Sequence, residues 1–396
     1  MSQTGQNAAT ASLHRKPAVH VDICCLFYAF DTLLGMATAE TRPKFRVGFS
    51  ADFMKEDGSL AFPDIGLSLL EHLPDLEYEF IREYKAAYSP DQLSAYDVVI
   101  SLKPRVTEAS LEGITRLCAI GRCGVGYDNV DLRACTDRDI AVYITPEGVV
   151  RPMAESIVLL VLALSNRLVA KDRLVRDGKW AESTRRLGQE PRDRVIGTIG
   201  FGNIAREALR LLSCFAPARG LAFDPYVNTS VMADAGIGMP VEFTSLDALL
   251  RESDYVLVNC PLTQETRHLI GARELALMKP DAYFVNTARG PIVDEAALME
   301  ALKARRIAGA ALDVFEREPL AEDSPLLTLD NVILTSHSIG WTGELFRDMG
   351  RLDCEGALAV ARGESPANVV NRDVLTRPGF LRKLESYRTA ATGVSL

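Results

Sequence analysis

From Lys44 onward, short apolar runs alternate with longer stretches whose apolar residues recur at helical spacing. Phe45–Ser50, Leu76–Ile81, Tyr96–Ser101, Leu117–Cys123 and Ala141–Thr145 read as strands, and Ile65–Leu73 and Asp131–Arg138 as helices between them. Such alternation predicts a parallel sheet covered on both faces. The rhythm breaks at Thr145-Pro146-Glu147-Gly148, which is turn chemistry, and Pro152 is placed to start a helix. That helix is expected over Ala154 to about Val175, and its start is apolar on nearly every side, as suits an element between two domains. A second series follows. Its strands are Val195–Gly200, Gly220–Asp224, Tyr255–Cys260, Tyr283–Thr287, Ala308–Val314 and Asn331–Thr335. Its helices fall near Ile204–Leu212, Ser245–Arg251, Ala272–Met278 and Glu295–Ala304, with a further helix over Thr342–Arg362 before a polar tail. The overall class is α/β with two parallel-sheet units.

One turn in the second series carries specific chemistry. Gly200, Gly202 and Ala205 form G-x-G-x-x-A between a strand and a helix. The first glycine permits a tight turn, the second lets backbone approach a pyrophosphate, and the alanine lets helix and strand pack closely. The amides of the first helical turn then face the phosphates. Alone the motif is weak, since methyltransferases use similar loops. Here the next strand ends at Asp224, about twenty residues on, where a carboxylate binds the adenosine ribose hydroxyls. Asp224 would repel a 2'-phosphate, and Pro225-Tyr226 supplies no arginine to receive one, so NAD is favoured over NADP. The competing reading of Asp224 is a turn aspartate.

Three more residues stand at C-terminal strand ends, where open α/β sheets place ligands. Arg289 follows Asn286-Thr287-Ala288, Glu318 follows Asp313-Val314-Phe315, and His337 follows the last strand. An arginine can hold a carboxylate bidentately, a histidine can move the hydroxyl proton, and a carboxylate can orient that histidine. Each alone could be structural: a strand-end histidine, a surface arginine, a loop charge. Together they suit oxidation of a 2-hydroxy acid.

Composition narrows the surroundings. The net charge of −9 disfavours nucleic acid and anionic membranes as partners. The eight cysteines include no C-x-x-C pair and no zinc-like cluster, so no metal site is expected and a reducing, cytoplasmic compartment is. No run reads as long or clean enough to span a bilayer; the nearest, Val21–Met36, is interrupted by Asp22 and Asp31. With Arg15-Lys16 before it and Ala37-Thr38-Ala39 after, that run has the outline of a secretion signal. The preferred expectation is that residues 1–43 are a disordered or mis-assigned extension, with Met36 a candidate initiator.

At these residues the chain resembles the D-isomer-specific 2-hydroxyacid dehydrogenases, the family of phosphoglycerate, glycerate and glyoxylate/hydroxypyruvate enzymes. The matching motifs, in order, begin with Gly124-Val125-Gly126-Tyr127-Asp128-Asn129-Val130-Asp131, the Gly200–Ala205 turn with Asp224, and Pro261-Leu262-Thr263-Gln264-Glu265-Thr266. Asn286-Thr287-Ala288-Arg289-Gly290, Asp313-Val314-Phe315-Glu316-Arg317-Glu318-Pro319 and Thr335-Ser336-His337 follow. The resemblance covers about Lys44 to Asn371. It implies two Rossmann-like domains, with an NAD-binding domain (149–339) inserted into a split, flavodoxin-like substrate domain (44–148 and 340–380), and a tail over 381–396. It implies Arg289 as substrate binder, His337 as acid/base and Glu318 as its partner. Val125 and Gly126 would hold the substrate carboxylate through their amides, with Arg105 a further substrate-loop contact. Asn203 and Ile204 would touch the pyrophosphate. Cys260, Thr266, Thr287, Ala288, Asp313 and Gly340 would line the dinucleotide. The long helix after Pro152 would support a homodimer.

Three positions depart from the family pattern. Ser336 stands where proline usually precedes the histidine, Ile157 replaces a frequent threonine, and Trp341 is placed to crowd the pocket. They bear on the substrate rather than the reaction. Two rivals share the fold: a non-enzymatic NAD-sensing corepressor, which can retain the triad, and formate dehydrogenase, against which Glu318 argues.

Overall fold

The computed structural model describes residues 44–227 and 236–391; the expected extension over 1–43 lies outside the described residues. The first series forms one parallel sheet from β1 (Phe45–Phe49), β2 (Leu76–Phe80), β3 (Val98–Ser101), β4 (Ala119–Arg122) and β5 (Ala141–Ile144), in the order β2-β1-β3-β4-β5. The second sheet is also parallel. It contains β6 (Val195–Ile199), β7 (Arg219–Phe223), β8 (Val241–Phe243), β9 (Tyr255–Val258), β10 (Tyr283–Asn286), β11 (Gly309–Leu312) and β12 (Val332–Leu334), ordered β12-β11-β10-β9-β6-β7-β8. Its strand order reverses between β6 and β9, and the glycine turn sits at that switch point.

The helices are α1 (Leu132–Asp137), α2 (Pro146–Ser165), α3 (Leu168–Arg176), α4 (Asn203–Leu212), α5 (Leu246–Glu252), α6 (Glu295–Lys303), α7 (Gly343–Ala361) and α8 (Pro378–Ala391), beside shorter turns. Side chains cap several starts: Asp131 accepts from the Ala134 amide at 2.9 Å and Asp294 from Ala297 at 3.0 Å. Helix α2 buries Ala154, Ile157, Leu160, Val161 and Leu164 against the second sheet. Helices α7 and α8 bury Leu345, Phe346, Phe380 and Leu384 in the core of the first. Each fully buried large aliphatic side chain contributes about 2 kcal/mol of transfer free energy.

Several expectations are corrected. Helix α2 begins at Pro146, immediately after β5, so Pro152 lies inside it, and the helix ends at Ser165 rather than near Val175. Arg167 takes a left-handed conformation (φ 51°), which breaks the run before α3. Gly188 passes too close to the Ser165 carbonyl for any side chain, and the Gln189 amide donates to that carbonyl at 2.9 Å. Ile65–Leu73 makes only a tight turn over Leu67–Leu69, because Gly66 is left-handed (φ 76°) and pressed against the Gly350–Arg351 backbone. The three-residue edge strand β8 was not foreseen. The segment after Pro378 is helical and packed on the first sheet instead of trailing as a polar tail. Finally, α2 is long and apolar enough, by length and composition, to cross a membrane, contrary to the sequence reading; half of that stretch is buried inside the protein.

Candidate active site

The glycine turn is built tightly. Gly200 has φ 91°, and a Cβ there would strike the Cys260 amide nitrogen at 2.7 Å, so only glycine fits. Thr198 Oγ donates to the Gly200 carbonyl at 2.8 Å and itself accepts from Asn259 at 3.0 Å, pinning the turn to β9. At Gly202 a Cβ would meet nothing of the protein within 4 Å. The α4 N-terminus receives no side-chain cap from Gly202, so the first-turn amides, including Asn203 and Ile204, face the same space. Asn203 bonds laterally to Arg206. Asp224, at the end of β7, accepts from the Phe201 amide at 2.8 Å and from Tyr226 at 3.0 Å. It therefore is a turn aspartate, but one fastened to the glycine turn, with lone pairs left for ribose hydroxyls. An open cradle, uncapped amides and an adjacent carboxylate fit a dinucleotide.

The other cofactor candidates occupy the same C-terminal edge. Burial pushes the Cys260 thiol up to about 11, which makes it an inert apolar liner. Thr266 Oγ donates to the Pro261 carbonyl at 2.7 Å and accepts from the Thr263 amide at 2.7 Å, closing the loop after β9. Thr287 and Ala288 are half-buried; Asn286 holds their turn, accepting from the Ala288 amide and donating to the Arg289 carbonyl, both at 3.0 Å. Gly340 packs on Met153 of α2, where a Cβ would come within 2.5 Å of the sulfur. Asp313 is 2% exposed and spends one oxygen on Thr335 Oγ (2.7 Å) and the amides of Ser338 (3.0 Å) and Ile339 (3.1 Å). It fixes the loop that carries His337, a role the sequence did not suggest.

His337 itself is left-handed (φ 53°), and its amide donates to the Asp313 carbonyl at 2.8 Å. Its Nδ1 lies 2.8 Å from Glu318 Oε2, while Glu318 Oε1 accepts from the Phe315 amide at 3.0 Å. Partial burial pushes the Glu318 carboxyl upward, but the His337 bond and charge, the Phe315 amide and the Arg289 charge outweigh it and hold it below the usual carboxylate range. Arg289 reaches across to the first sheet. Its Nε donates to Asp128 at 2.8 Å, and its guanidinium lies where a side chain on Gly126 would be. Asp128 belonged to a recognised motif but had no assigned part; an acid in a glycine loop gives no sign of its partner.

Arg289 thus meets the loop after β4, which holds Val125 and Gly126. The neighbouring loop after β3 is laced to it: Asn129 donates to the Lys103 and Pro104 carbonyls at 3.3 and 3.2 Å. Arg105 lies exposed on that loop, its guanidinium without a hydrogen bond or ion pair among the described residues. Trp341 stands edge-on to Phe62 and Phe346, at 5.6 and 5.4 Å, with the Lys103 ammonium 5.6 Å from its ring centre.

Residues 158–338 match the model of the D-isomer specific 2-hydroxyacid dehydrogenase NAD-binding domain. A glyoxylate reductase of Korarchaeum cryptofilum is 38% identical over 290 residues, 72% of this chain and 86% of its own length. The chain belongs to the D-isomer-specific 2-hydroxyacid dehydrogenase family. It is an NAD-dependent oxidoreductase of CH–OH groups, and Gly200, Asp224, Arg289, Glu318 and His337 lie within the matched residues. A D-3-phosphoglycerate dehydrogenase of Archaeoglobus fulgidus is also 38% identical, over 69% of this chain but only 51% of that protein. Among solved structures, the Aquifex aeolicus D-lactate dehydrogenase complexed with NAD and lactic acid superposes with a TM-score of 0.70 at 26% identity, covering 82% of this chain and 99% of that one.

Proposed function

We propose that this enzyme reduces short 2-oxo acids of the glyoxylate or hydroxypyruvate type at C2 with NADH, and oxidises the matching D-2-hydroxy acids in reverse. The observation that carries the reading is the His337–Glu318 pair at 2.8 Å, beside an Arg289 seated against Gly126. The glyoxylate reductase relatives support the substrate class, since the chain spans most of their length but only about half of the phosphoglycerate relative.

The Asn203 and Ile204 amides would hold the pyrophosphate of NAD, Asp224 its ribose, and Cys260, Thr266, Thr287, Ala288, Asp313 and Gly340 would line it; bound there, it would supply or take the hydride. Arg289 and the Val125 and Gly126 amides hold the substrate carboxylate, which orients C2. His337 spends Nδ1 on Glu318, leaving Nε2 to give a proton to the C2 oxygen in reduction and to take it back in oxidation. The ionised Glu318 accepts from Nδ1 and keeps the ring turned toward substrate.

The substrate domain (44–148 and 340–380) and the NAD domain (149–339) close on each other around this cleft, with Arg289 reaching between them. Leu159, Leu168 and Val175 are 52%, 55% and 57% exposed on α2 and α3, which supports a homodimer through that face. Buried free thiols at Cys118, Cys123, Cys135 and Cys354 suit a reducing, cytoplasmic compartment.

The test is NADH oxidation against glyoxylate, hydroxypyruvate, pyruvate and 3-phosphohydroxypyruvate. Glyoxylate and hydroxypyruvate are expected to give the highest kcat/KM. A clear preference for the phosphorylated acid would overturn the substrate assignment and give Arg105 the role of second anion contact.

A further inference from the structure

A second histidine–glutamate pair lies beside the first. His268 closes the loop after β9, and its Nε2 meets Glu316 Oε1. Like His337, His268 is left-handed (φ 52°), a conformation that an L-residue keeps only when its surroundings hold it. Two contacts do so. Its amide donates to the Pro291 carbonyl at 2.9 Å, and its ring is held by Glu316.

Those contacts land on the two segments that carry the reactive side chains. Pro291 lies in the Gly290–Ile292 turn that directly follows Arg289. Glu316 lies two residues before Glu318, and its amide donates to Glu295 at 3.0 Å. The two segments are pressed together, since a Cβ on Gly290 would overlap the Phe315 and Glu316 backbone. One histidine therefore clamps the turn behind Arg289 with its main chain and the loop behind Glu318 with its ring. The contact network continues through Phe315, whose amide fixes Glu318, to His337. Glu318 and His337 are 37% and 46% exposed, so burial alone does not immobilise them.

We propose that His268 and Glu316 are positioning residues for the reaction, tying the cofactor loop after β9 to the alignment of Glu318 and Arg289. This rests on the roles given above to Arg289, Glu318 and His337. Among the described residues the clamp's hydrogen bonds reach neither the glycine turn nor Asp224, so the pyrophosphate and ribose contacts proposed above stay largely independent of it.

The test uses the full chain with His268→Ala, His268→Gln, Glu316→Gln and, beside them, His337→Asn. Steady-state kinetics with glyoxylate or hydroxypyruvate, whichever turns over faster, are read with NADH affinity by fluorescence, thermal unfolding and the pH profile of kcat/KM. His268→Ala is expected to lower kcat on the order of tenfold, with NADH affinity within about twofold of wild type. Its pH profile should shift, because Glu318 no longer sits squarely on His337. His268→Gln, which keeps a donor for Glu316, should recover most of the loss. Wild-type kcat and pH profile in His268→Ala, beside an inactive His337→Asn, would overturn this proposal alone. Full activity in His337→Asn would overturn the acid–base reading and this proposal with it. Equal losses of kcat, NADH affinity and thermal stability in His268→Ala, unrelieved in His268→Gln, would show a general structural role and also overturn it.

Discussion

The two sheets begin alike and end differently. Just before β3, Asp97 accepts from the Arg46 amide of β1 at 2.7 Å, while its carbonyl takes the Cys118 amide entering β4, also at 2.7 Å. Just before β9, Asp254 accepts from the Val195 amide of β6 at 2.7 Å, while its carbonyl takes the Tyr283 amide of β10 at 2.9 Å. Each carboxylate has a cationic neighbour, Arg116 at 2.6 Å and Lys279 at 2.9 Å. Both aspartates are about 95% buried, at 4% and 5% exposure. At these N-terminal edges one device solves the same problem twice: it satisfies an amide at the start of the neighbouring strand and fixes three strands in register. At the C-terminal edges the sheets diverge. The second presents Asp224, Arg289, Glu318 and His337. The first presents the glycine loop of Val125 and Gly126, with Asp128 to receive Arg289. Folding is paired, while in the proposed function chemistry is divided: one sheet would supply reactive side chains and the other a seat for substrate.

That division is broken first by removing the proposed proton carrier. His337→Asn should lower kcat by about 10³-fold, within the usual range for an acid–base group, while NADH still binds. Fluorescence titration and steady-state rates check it; residual turnover near wild type would place the acid elsewhere. The opposite edge should behave in the opposite way. Asp97→Ala and Asp254→Ala should each cost about 2 kcal/mol of stability by leaving a strand amide without its acceptor and a half-buried cation without its partner. Rates below the unfolding transition should change little. Denaturant melts should show similar losses from the two, and a loss from one alone would break the parallel between the sheets.

Much of this was legible beforehand because it depends on local patterns. Gly200 and Gly202 announce a turn by spacing alone, and Asp224 follows at the length of one helix and one strand. The strand ends that carry Arg289 and His337 follow from apolar runs bounded by polar residues. What could not be read was decided by tertiary neighbours. The break at Arg167 depends on Gly188 arriving at the Ser165 carbonyl. The failed helix at Ile65–Leu73 depends on α7 pressing on Gly66. Asp128 finds Arg289 across 161 positions of sequence. The structural use of Asp313 arises only when the loop after β12 folds back onto it.

Smaller effects sharpen the comparison. Asp224→Ala removes ribose acceptors but also a bond to the Phe201 amide, so NADH affinity should fall about tenfold, the value of one or two hydrogen bonds to a charged group. The gap to NADPH should narrow in the same titration; a wild type that prefers NADPH would contradict the ribose assignment. Trp341 belongs to the aromatic group of Phe62 and Phe346 under Lys103, on the substrate side. Trp341→Ala should improve bulky 2-oxo acids relative to glyoxylate by a few-fold, the scale of a hydrophobic pocket contact. Unchanged relative kcat/KM across a series of side-chain sizes would set Trp341 outside the pocket.

The central claim is that Glu318 and His337 act as one acid–base unit. Glu318 is held below its ordinary value, so it is a carboxylate throughout the neutral range and accepts the hydrogen bond from His337 Nδ1. Reduction needs a proton on Nε2, so its rate is lost as pH rises; oxidation needs the neutral ring, so its rate is lost as pH falls. Replacing the carboxylate by an amide removes the ionised acceptor on Nδ1, and the rates in both directions should fall. The decisive measurement is therefore the pH dependence of kcat/KM in both directions for wild type and Glu318→Gln. With folding intact, kcat/KM should fall on the order of tenfold in both directions in Glu318→Gln, the scale of one hydrogen bond to a charged group. Superimposable profiles would contradict it and leave His337 paired with some other group.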